Sequence, residues 1–514
     1  MYPQFPPVTV DGQRLSIEDV AAVARGAAVA LSETPAFVER IDAGARFIER
    51  HLAEDGVIYG VTTGYGDSVT TTIPDELIGE LPLHLTRYHG CGLGAHFDRQ
   101  TGRAILAARL QSLAQGFSGV RHELLAQLAL LINRDIVPLI PEEGSVGASG
   151  DLTPLSYVAA ALVGERRAYY GDDVHDVADI FAELGINPLR LAPKEGLAVM
   201  NGTAVMTALA CLAFRRAEFL SRLATRITAL ASLATAGNRD HFHPRLFAVK
   251  PHAGQTEVAA WLYHDLNPHG EAPEAHRLQD RYSLRCAPHV IGVLRDALPW
   301  MRRDIENELN SANDNPIIDV EADLVLHGGH FYGGHIAFVM DSLKNLVANL
   351  ADLMDRQLAL MVDPKFNHGL PHNLSGARDE RAAINHGFKA VQIGVSAWTA
   401  EALKHTLPAS VFSRSTECHN QDKVSMGTIA ARDALRVLQL TEQVAAGTLL
   451  AAVQGVELRL REHDLELTEL APELAGFIEQ VRSHSPFLAE DRPLEGELRS
   501  LIAAIQDQTW SLYP

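Results

Sequence analysis

Three long stretches of the chain have the periodicity of buried helices and contain no glycine or proline. Thr203–Ala236 extends over 34 residues. In Ile336–Asp363, apolar side chains recur every three or four positions, as they do along one face of a helix: Ile336, Val339, Leu343, Leu346, Val347, Leu350 and Leu353. The third stretch, Thr428–Ala446, continues toward Leu458. All three exceed the length of an average helix, which predicts a bundle of long helices packed side by side.

Residues 1–200 follow a different pattern, in which short helical segments alternate with glycine-rich loops. Ser16 and Asp19 have the spacing of a capping box at the start of one helix. Further helices are predicted in this part of the chain over Pro35–Leu52, residues 100–133 and Asp151–Gly164. We therefore predict an all-α protein with a loop-rich N-terminal region, residues 1–200, followed by a long-helix bundle, residues 201–514.

Composition narrows the class of protein. Of the 514 residues, 47% are hydrophobic and 21% are charged, which suits a chain with a large buried core. The net charge of −20 disfavours nucleic acid or an anionic membrane as a partner. The four cysteines are widely spaced, no apolar run reaches membrane-spanning length without charges, and the N-terminus lacks the pattern of a signal peptide. These features favour a cytoplasmic protein.

The stretch Gly147–Asp151, which reads Gly-Ala-Ser-Gly-Asp, carries the most unusual chemistry in the sequence. Because glycine has no side chain, the Gly150 nitrogen can fold back onto the Ala148 carbonyl at little steric cost. Loss of water would close a five-membered ring. Loss of a second water from Ser149 would leave an exocyclic methylidene, an electrophile that no ordinary side chain supplies. The alternative interpretation is a glycine-rich loop capped by Asp151 before a helix.

Three other polar segments are candidates for a site. Val57–Asp67 is a glycine- and threonine-rich loop with two tyrosines, typical either of a lid over a substrate or of an idle surface loop. Gln279, Tyr282 and Arg285 are spaced to fall roughly on one face of a helix, although a solvated face has the same pattern. The three histidines of residues 327–335 lack a cysteine or carboxylate at recognised ligand spacing, so we predict no metal site.

Six motifs, in order, resemble those of the aromatic amino acid ammonia-lyases and aminomutases, the family of the histidine, phenylalanine and tyrosine lyases and the related mutases. The motifs extend over most of the chain from 57 to 427 and are residues 59–66, 147–155, 201–203, 279–286, 315–316 and 419–427. The resemblance implies an all-α fold of the fumarase/aspartase-like superfamily. It also implies a homotetramer whose active sites each draw on more than one subunit.

The same resemblance implies a cofactor and a set of site residues. Ala148, Ser149 and Gly150 are expected to cyclise autocatalytically into a methylidene-imidazolone, with no metal or external cofactor. Tyr59 is expected to be the catalytic base, on an inner lid loop. The other implied residues contact the cofactor or the substrate: Asn201 and the catalytic Tyr282 beside the amino group, Arg285 on the carboxylate, Gln279 and Asn315 in support, and Phe331 along the pocket.

Two places in the sequence bear on the substrate's side chain. Histidine lyases carry Glu at the position of Gln421, where it can pair with an imidazole, whereas neutral Gln421 resembles the phenylalanine and tyrosine enzymes. Tyr88-His89 departs from the Phe-Leu of phenylalanine lyases, the His-Leu of tyrosine lyases and the Ser-His of histidine lyases. Both side chains can hydrogen-bond a phenolic hydroxyl, and each costs roughly 1–3 kcal/mol if buried without a partner. Tyrosine is therefore the predicted substrate, with phenylalanine next, unless Tyr88 points away or bonds His89 directly.

The expected reaction is elimination of ammonia from an aromatic L-amino acid to give the trans-arylacrylate, coumarate or cinnamate. An aminomutase that re-adds ammonia at the β-carbon would use the same residues and remains the main alternative. A histidine ammonia-lyase and a non-catalytic helical protein rank below both.

Overall fold

The computed structural model of the protein describes residues 5–54, 56–270 and 276–514. The described chain is largely helical, with α-helices at Ile17–Ala24, Pro35–Ala53, Leu81–Tyr88, Arg99–Leu113, His122–Asn133, Leu152–Leu162, Val177–Leu184, Glu195–Met200, Ala204–Ala234, Pro244–Ala248, Ala253–Leu266, Tyr282–Arg285, Ala287–Leu309, Gly334–Val362, Lys389–Lys404, Gly427–Arg461, Pro472–Arg482 and Glu495–Gln506. The predicted all-α class and the three long helices are confirmed, and the helix ends lie within a few residues of the predicted positions.

The predicted start of the first helix is also confirmed at the level of its hydrogen bonds. The Asp19 N–H donates to the Ser16 hydroxyl at 3.2 Å, and the Ser16 N–H donates to the Asp19 carboxylate at 2.8 Å. This reciprocal pair is a capping box, which satisfies backbone donors that the first helical turn leaves without partners.

Short strands join the loops between helices. Val8–Val10 pairs in parallel with Val29–Leu31, and the antiparallel pairs are Leu93–His96 with Pro141–Glu143, Val137–Pro138 with Arg167–Tyr170, Arg167–Tyr170 with Asp173–Asp176, and Ile317–Asp319 with Leu324–Leu326. Because strands of two to four residues are too short to show a period of two, the hydrophobic pattern did not predict them.

The chain divides into two compact units. The first comprises Met1–Arg215, Met301–Asp341 and Pro408–Arg432, and the second comprises Arg216–Trp300, Ser342–Leu407 and Asp433–Pro514. These units alternate along the chain and are a different grouping from the sequence regions 1–200 and 201–514, whose boundary stays a prediction. No helix in residues 5–54, 56–270 and 276–514 is both long enough and apolar enough to cross a membrane.

Candidate active site

In the first unit, the loop Gly147–Asp151 lies against Gly202. The Gly202 N–H donates to the Ser149 carbonyl at 3.2 Å, and the Asp151 N–H donates to the Gly202 carbonyl at 2.7 Å. Gly150 has a φ of +70°, and a Cβ at this position would overlap the Gly202 carbonyl group. Glycine is therefore required at Gly150 both by the backbone conformation and by the close approach of another backbone segment.

The other side of the same loop is held by the start of the helix Gly427–Arg461. The Ser425 N–H donates to the Gly147 carbonyl at 3.1 Å, and the Met426 N–H donates to the Val146 carbonyl at 3.0 Å. The motifs at residues 147–155, 201–203 and 419–427, which are far apart in the sequence, thus meet around one loop.

Asp151 is a fully buried carboxylate beneath this loop. It accepts hydrogen bonds from the Thr428 hydroxyl, from the Ser145 hydroxyl at 3.3 Å and from the Met206 N–H at 2.9 Å. Burial raises the pKa of Asp151 to about 6, although these three donors act in the opposite direction. Asp151 stands at the N-cap position of the helix Leu152–Leu162, but its side chain makes no capping hydrogen bond, so the helix cap that the sequence indicated is wrong. The carboxylate is turned instead toward Thr428, Ser145 and Met206.

Asn201 is buried beside Ser149, together with both polar atoms of its side-chain amide. Its Nδ2 donates to the Ser149 carbonyl at 3.1 Å, while its Oδ1 is buried without a hydrogen-bond donor among the described residues. A buried acceptor without a donor is costly and is rare in folded proteins. Asn201 therefore offers an acceptor to a donor that the described residues do not supply.

Arg109, on the helix Arg99–Leu113, holds the backbone of Asn201 by a hydrogen bond. Its guanidinium donates to the Asn201 carbonyl at 3.2 Å and to the Asn313 side chain at 3.3 Å. Complete burial lowers the pKa of Arg109 to about 10, against the effect of the nearby Asp314 and Asp151 carboxylates. The sequence analysis missed this residue, although a single arginine within the apolar run 104–110 was a usable signal.

Tyr59 lies at the base of the predicted lid. The preceding Ile58 and the nearby Val61 are buried in an apolar cluster whose other buried members are Phe47, Ile48 and Ile318. The Tyr59 hydroxyl accepts a hydrogen bond from the Gly66 N–H at 2.7 Å. The cluster thus anchors the backbone on both sides of Tyr59, while its hydroxyl turns toward the lid.

Three influences act on the acidity of the Tyr59 hydroxyl. Burial raises its pKa, the Gly66 N–H lowers it by stabilising the phenolate, and the Glu417 carboxylate raises it. The net direction is upward, away from the phenolate that a base requires. The isolated chain therefore provides one donor for the phenolate but no net stabilisation of it.

Tyr88 and His89 end the helix Leu81–Tyr88 and contact each other, with ring centroids 4.4 Å apart and planes inclined at 44°. Burial, together with the charge of Arg166, lowers the pKa of His89 to about 4. His89 is therefore a neutral imidazole near pH 7. The Tyr88 side chain is 55% exposed in the single chain.

The remaining predicted residues of the first unit lie on loops. The Thr416 hydroxyl donates to the Gln421 Oε1 at 2.9 Å, and the Asn315 Oδ1 accepts from the Gly328 N–H at 2.8 Å. Asn315 thereby holds the loop that carries Phe331. The same loop reaches the lid, since the Tyr59 N–H is 3.4 Å from the His327 Nε2.

Gln279, Tyr282 and Arg285 belong to the second unit. The Arg285 guanidinium lies 4.5 Å from the centre of the Tyr282 ring, which is 71% exposed in the single chain. Gln279 precedes the helix Tyr282–Arg285, so the prediction that the three residues share one helical face is wrong. The reason is that the chain becomes helical only at Tyr282.

A metal site would need several ligating side chains close together in the described residues 5–54, 56–270 and 276–514. No group of three or more histidine, cysteine, aspartate or glutamate side chains in these ranges could hold a metal ion. Of the histidines of residues 327–335, His327 instead contacts the Tyr59 N–H.

Comparison with known proteins identifies the class to which this fold and loop arrangement belong. The family model described as aromatic amino acid lyase matches residues 15–483, so the chain belongs to that family. A histidine ammonia-lyase from Gloeobacter violaceus is 37% identical over 97% of this chain and 96% of its own length. A tyrosine ammonia-lyase from Cupriavidus metallidurans is also 37% identical, over 98% of this chain and 97% of its own.

A solved structure shows the same fold. The crystal structure of a tyrosine aminomutase from Streptomyces globisporus is similar with a TM-score of 0.89 and 35% identity, covering 98% of this chain and 97% of that chain. The family resemblance deduced from the six motifs is thereby confirmed. The relatives differ in the substrate and reaction that their names give, so family membership alone leaves both open.

Proposed function

We propose that the protein is an ammonia-lyase that acts on tyrosine, and on phenylalanine second, releasing ammonia and the trans-arylacrylate. The observation that carries this proposal is the close approach of Gly150 to Gly202 beside Ser149, in a chain of the aromatic amino acid lyase family. Gly202 pairs with the backbone on both sides of Gly150, at the Ser149 carbonyl and the Asp151 N–H, and leaves no room for a side chain at Gly150.

The residues around Ser149 fit a methylidene-imidazolone made from Ala148, Ser149 and Gly150. Only a glycine fits at the point where the Gly150 nitrogen would join the ring. The Asn201 Nδ2 already holds the Ser149 carbonyl, and the Asn201 Oδ1 is left for another donor. Once formed, the group would supply an electrophile for the substrate's amino group and so make ammonia a better leaving group.

We assign removal of the β-proton to Tyr59. A tyrosine ordinarily titrates near ~10, so the base requires surroundings that favour its phenolate. The Gly66 N–H acts in that direction, whereas burial and Glu417 oppose it. A positive charge brought close to the hydroxyl would shift the balance toward the phenolate.

Arg285 and Tyr282 are candidates for completing the site from a neighbouring subunit. Both lie in the second unit, and the large exposed fraction of Tyr282 fits a residue that becomes covered only on assembly. The planar guanidinium of Arg285 suits the substrate carboxylate because it can bind both oxygens at once. We therefore propose a homotetramer with shared active sites.

The free state of Cys91, Cys211 and the other two cysteines fits the cytoplasmic location that we propose.

The preference for tyrosine rests on Tyr88, His89 and Gln421. His89 is neutral near pH 7 and can exchange one hydrogen bond with a phenol, as can the Tyr88 hydroxyl. Gln421 offers no charge to pair with an imidazolium. The rings of Tyr88 and His89 contact each other. The preference for tyrosine requires that the Tyr88 hydroxyl and the His89 imidazole do not hydrogen-bond each other in the assembled site.

An assay of the purified enzyme against tyrosine, phenylalanine and histidine, with every product identified, tests the proposal. We expect kcat/KM to be highest for tyrosine and the main product to be coumarate. The matched variant Gln421→Glu should shift the ratio of kcat/KM values toward histidine. Urocanate from histidine as the fastest product of the wild type would contradict the substrate assignment.

An aminomutase is the second candidate, favoured by the 35% identity to a tyrosine aminomutase over nearly the whole chain. The two reactions differ in how long the closed site retains the arylacrylate and ammonia. A β-amino acid as the main product would replace the lyase assignment with this one.

A further inference from the structure

The Glu417 carboxylate lies directly on the tip of the lid. The Asp67 N–H donates to both of its oxygens, at 2.9 and 3.1 Å. The carboxylate also lies against Gly66, where a Cβ would overlap it. Glu417 reaches the lid from a position 350 residues later in the chain, within the same compact unit.

This contact is adjacent to the hydrogen bond that holds the proposed base. The Gly66 N–H donates to the Tyr59 hydroxyl at 2.7 Å, and the next amide, that of Asp67, donates to Glu417. Because a peptide unit is planar, fixing the Asp67 amide restricts the rotation of the neighbouring residue as well. Glu417 therefore acts on Tyr59 through the backbone of the lid.

The lid comprises residues 62–73, and two backbone hydrogen bonds close this loop at its neck. The Ile73 N–H donates to the Thr62 carbonyl at 2.9 Å, and the Gly64 N–H donates to the Thr71 carbonyl at 3.0 Å. Between these bonds, Gly66–Thr70 forms a single short 3-10 helix with no buried residue. An exposed tip of this kind gains little from apolar burial, so a charged hydrogen bond from outside the loop changes its opening equilibrium appreciably.

An unusual turn presents Glu417 to the lid. Glu417, Cys418 and His419 have φ values of +51°, +53° and +66°, a conformation that costs non-glycine residues roughly 1–2 kcal/mol each. The turn is closed by mutual backbone hydrogen bonds between Thr416 and Gln421, at 3.0 and 3.2 Å. Strain of this kind persists where the surrounding structure maintains it, and it concentrates at functional sites.

We propose that Glu417 is the latch of the lid: it holds the tip closed, keeps the Gly66 amide on the Tyr59 oxygen, and connects both to Gln421 through the turn 416–421. Glu417 is a positioning residue, since it acts through the lid backbone. The kinetic consequence rests on the proposed function, because it assumes that Tyr59 removes the proton. The closing of the lid by Glu417 does not depend on that assumption.

The test compares Glu417→Ala with the conservative Glu417→Gln, in the full-length protein. As a matched control, Glu76→Ala removes an exposed carboxylate from the short 3-10 helix Asp75–Leu77, which follows the lid in the chain. We measure amide hydrogen exchange over residues 62–73, together with kcat and KM for tyrosine.

Glu417→Ala should speed exchange in the lid about tenfold and leave the melting temperature unchanged. We expect kcat to fall by at least about tenfold, because loss of the positioned Gly66 hydrogen bond to Tyr59 outweighs removal of a carboxylate that raises the Tyr59 pKa. Glu417→Gln keeps one acceptor oxygen and should recover part of both losses, while Glu76→Ala should behave as the wild type. Unchanged lid exchange in Glu417→Ala, or no recovery in Glu417→Gln, would overturn the latch. A wild type that releases no ammonia would instead defeat the proposed function, and the exchange comparison would still decide the latch.

Discussion

The residues around Ser149 are arranged mainly by backbone contacts. Two glycines, Gly150 and Gly202, let two chain segments approach until their peptide groups pair. Arg109 donates to the carbonyl of Asn201 in one of these segments, and the Asn201 side chain donates to Ser149 in the other. A substitution that adds a single carbon atom at this contact should therefore have a large effect.

Gly150→Ala should prevent ring formation and destabilise the protein, because the added Cβ would overlap the rigid Gly202 carbonyl. Gly171→Ala is the control, since Gly171 also has a positive φ but has open space around its Cβ position. That control should cost only about 1 kcal/mol. Intact-protein mass and thermal unfolding measure the two effects, and a Gly150→Ala protein with the same mass deficit as the wild type would contradict this explanation.

Asp151 predicts a specific dependence of stability on pH. Its pKa in the folded protein is about 6, above the ordinary value of 3.8, so the folded state binds this proton more tightly than the unfolded chain. The stabilisation is complete below about pH 4 and is lost as the pH rises through 6. The free energy of unfolding of the wild type, measured relative to Asp151→Asn, should fall by roughly 2 kcal/mol between pH 4 and pH 7. A constant difference across this range would show that burial does not raise the pKa of Asp151.

A ring closure in the loop could be hypothesised from three consecutive residues, Ala148, Ser149 and Gly150, and the family resemblance made it the expected cofactor. The surroundings of the loop could not be predicted. The contacts of Arg109 with Asn201 and of Asp67 with Glu417 join residues 92 and 350 positions apart. No local pattern in a single sequence encodes such a pairing.

Among the structural elements, the lid depends on the apolar cluster at its base. Ile58 and Val61 are buried beside Phe47 and Ile318, on either side of Tyr59. Because these flanking residues are buried in the cluster, the backbone of the proposed base Tyr59 is held in a fixed position.

Ile58→Ala should lower the free energy of unfolding by about 2–5 kcal/mol, and Ile58→Val by only about 0.5–1.5 kcal/mol. If the cluster positions Tyr59, kcat should fall with the larger change and remain close to wild type with the smaller one. Urea unfolding and steady-state kinetics measure the two quantities. A kcat of Ile58→Ala equal to that of the wild type would show that the cluster does not position Tyr59.

Long helices were predictable because their apolar periodicity is sustained. Ala204–Ala234 and Gly334–Val362 extend over many turns without an internal glycine or proline, and Gly427–Arg461 continues through Gly447 and Gly455. Short elements were less predictable: Gln279 was assigned to a helical face because its spacing fits, although the helix begins at Tyr282. A pattern of three residues does not contain enough turns to define a helix end.

At the scale of the whole molecule, the division into two units separates the predicted site residues. Tyr59, Ser149 and Asn201 lie in the first unit, whereas Tyr282 and Arg285 lie in the second. We propose that each site of the homotetramer takes residues of the first unit and residues of the second unit from different subunits.

Mixing two inactive variants tests the shared site. Tyr59→Phe and Tyr282→Phe homotetramers should each lose at least about a hundredfold in kcat. Mixed tetramers assembled from equal amounts should recover about a quarter of the wild-type activity, because each tyrosine is then intact in half of the subunits. Activity no greater than that of the separate variants would place both tyrosines of each site in one subunit.

The central claim is that Ala148, Ser149 and Gly150 form an electrophilic ring, and the mass of the intact protein tests it most directly. The purified wild type should be lighter than its sequence by two water molecules per chain. Ser149→Ala should lack the methylidene-forming loss and show no such deficit, with the fold unchanged by circular dichroism. A wild-type chain at the full mass of its sequence would contradict the account.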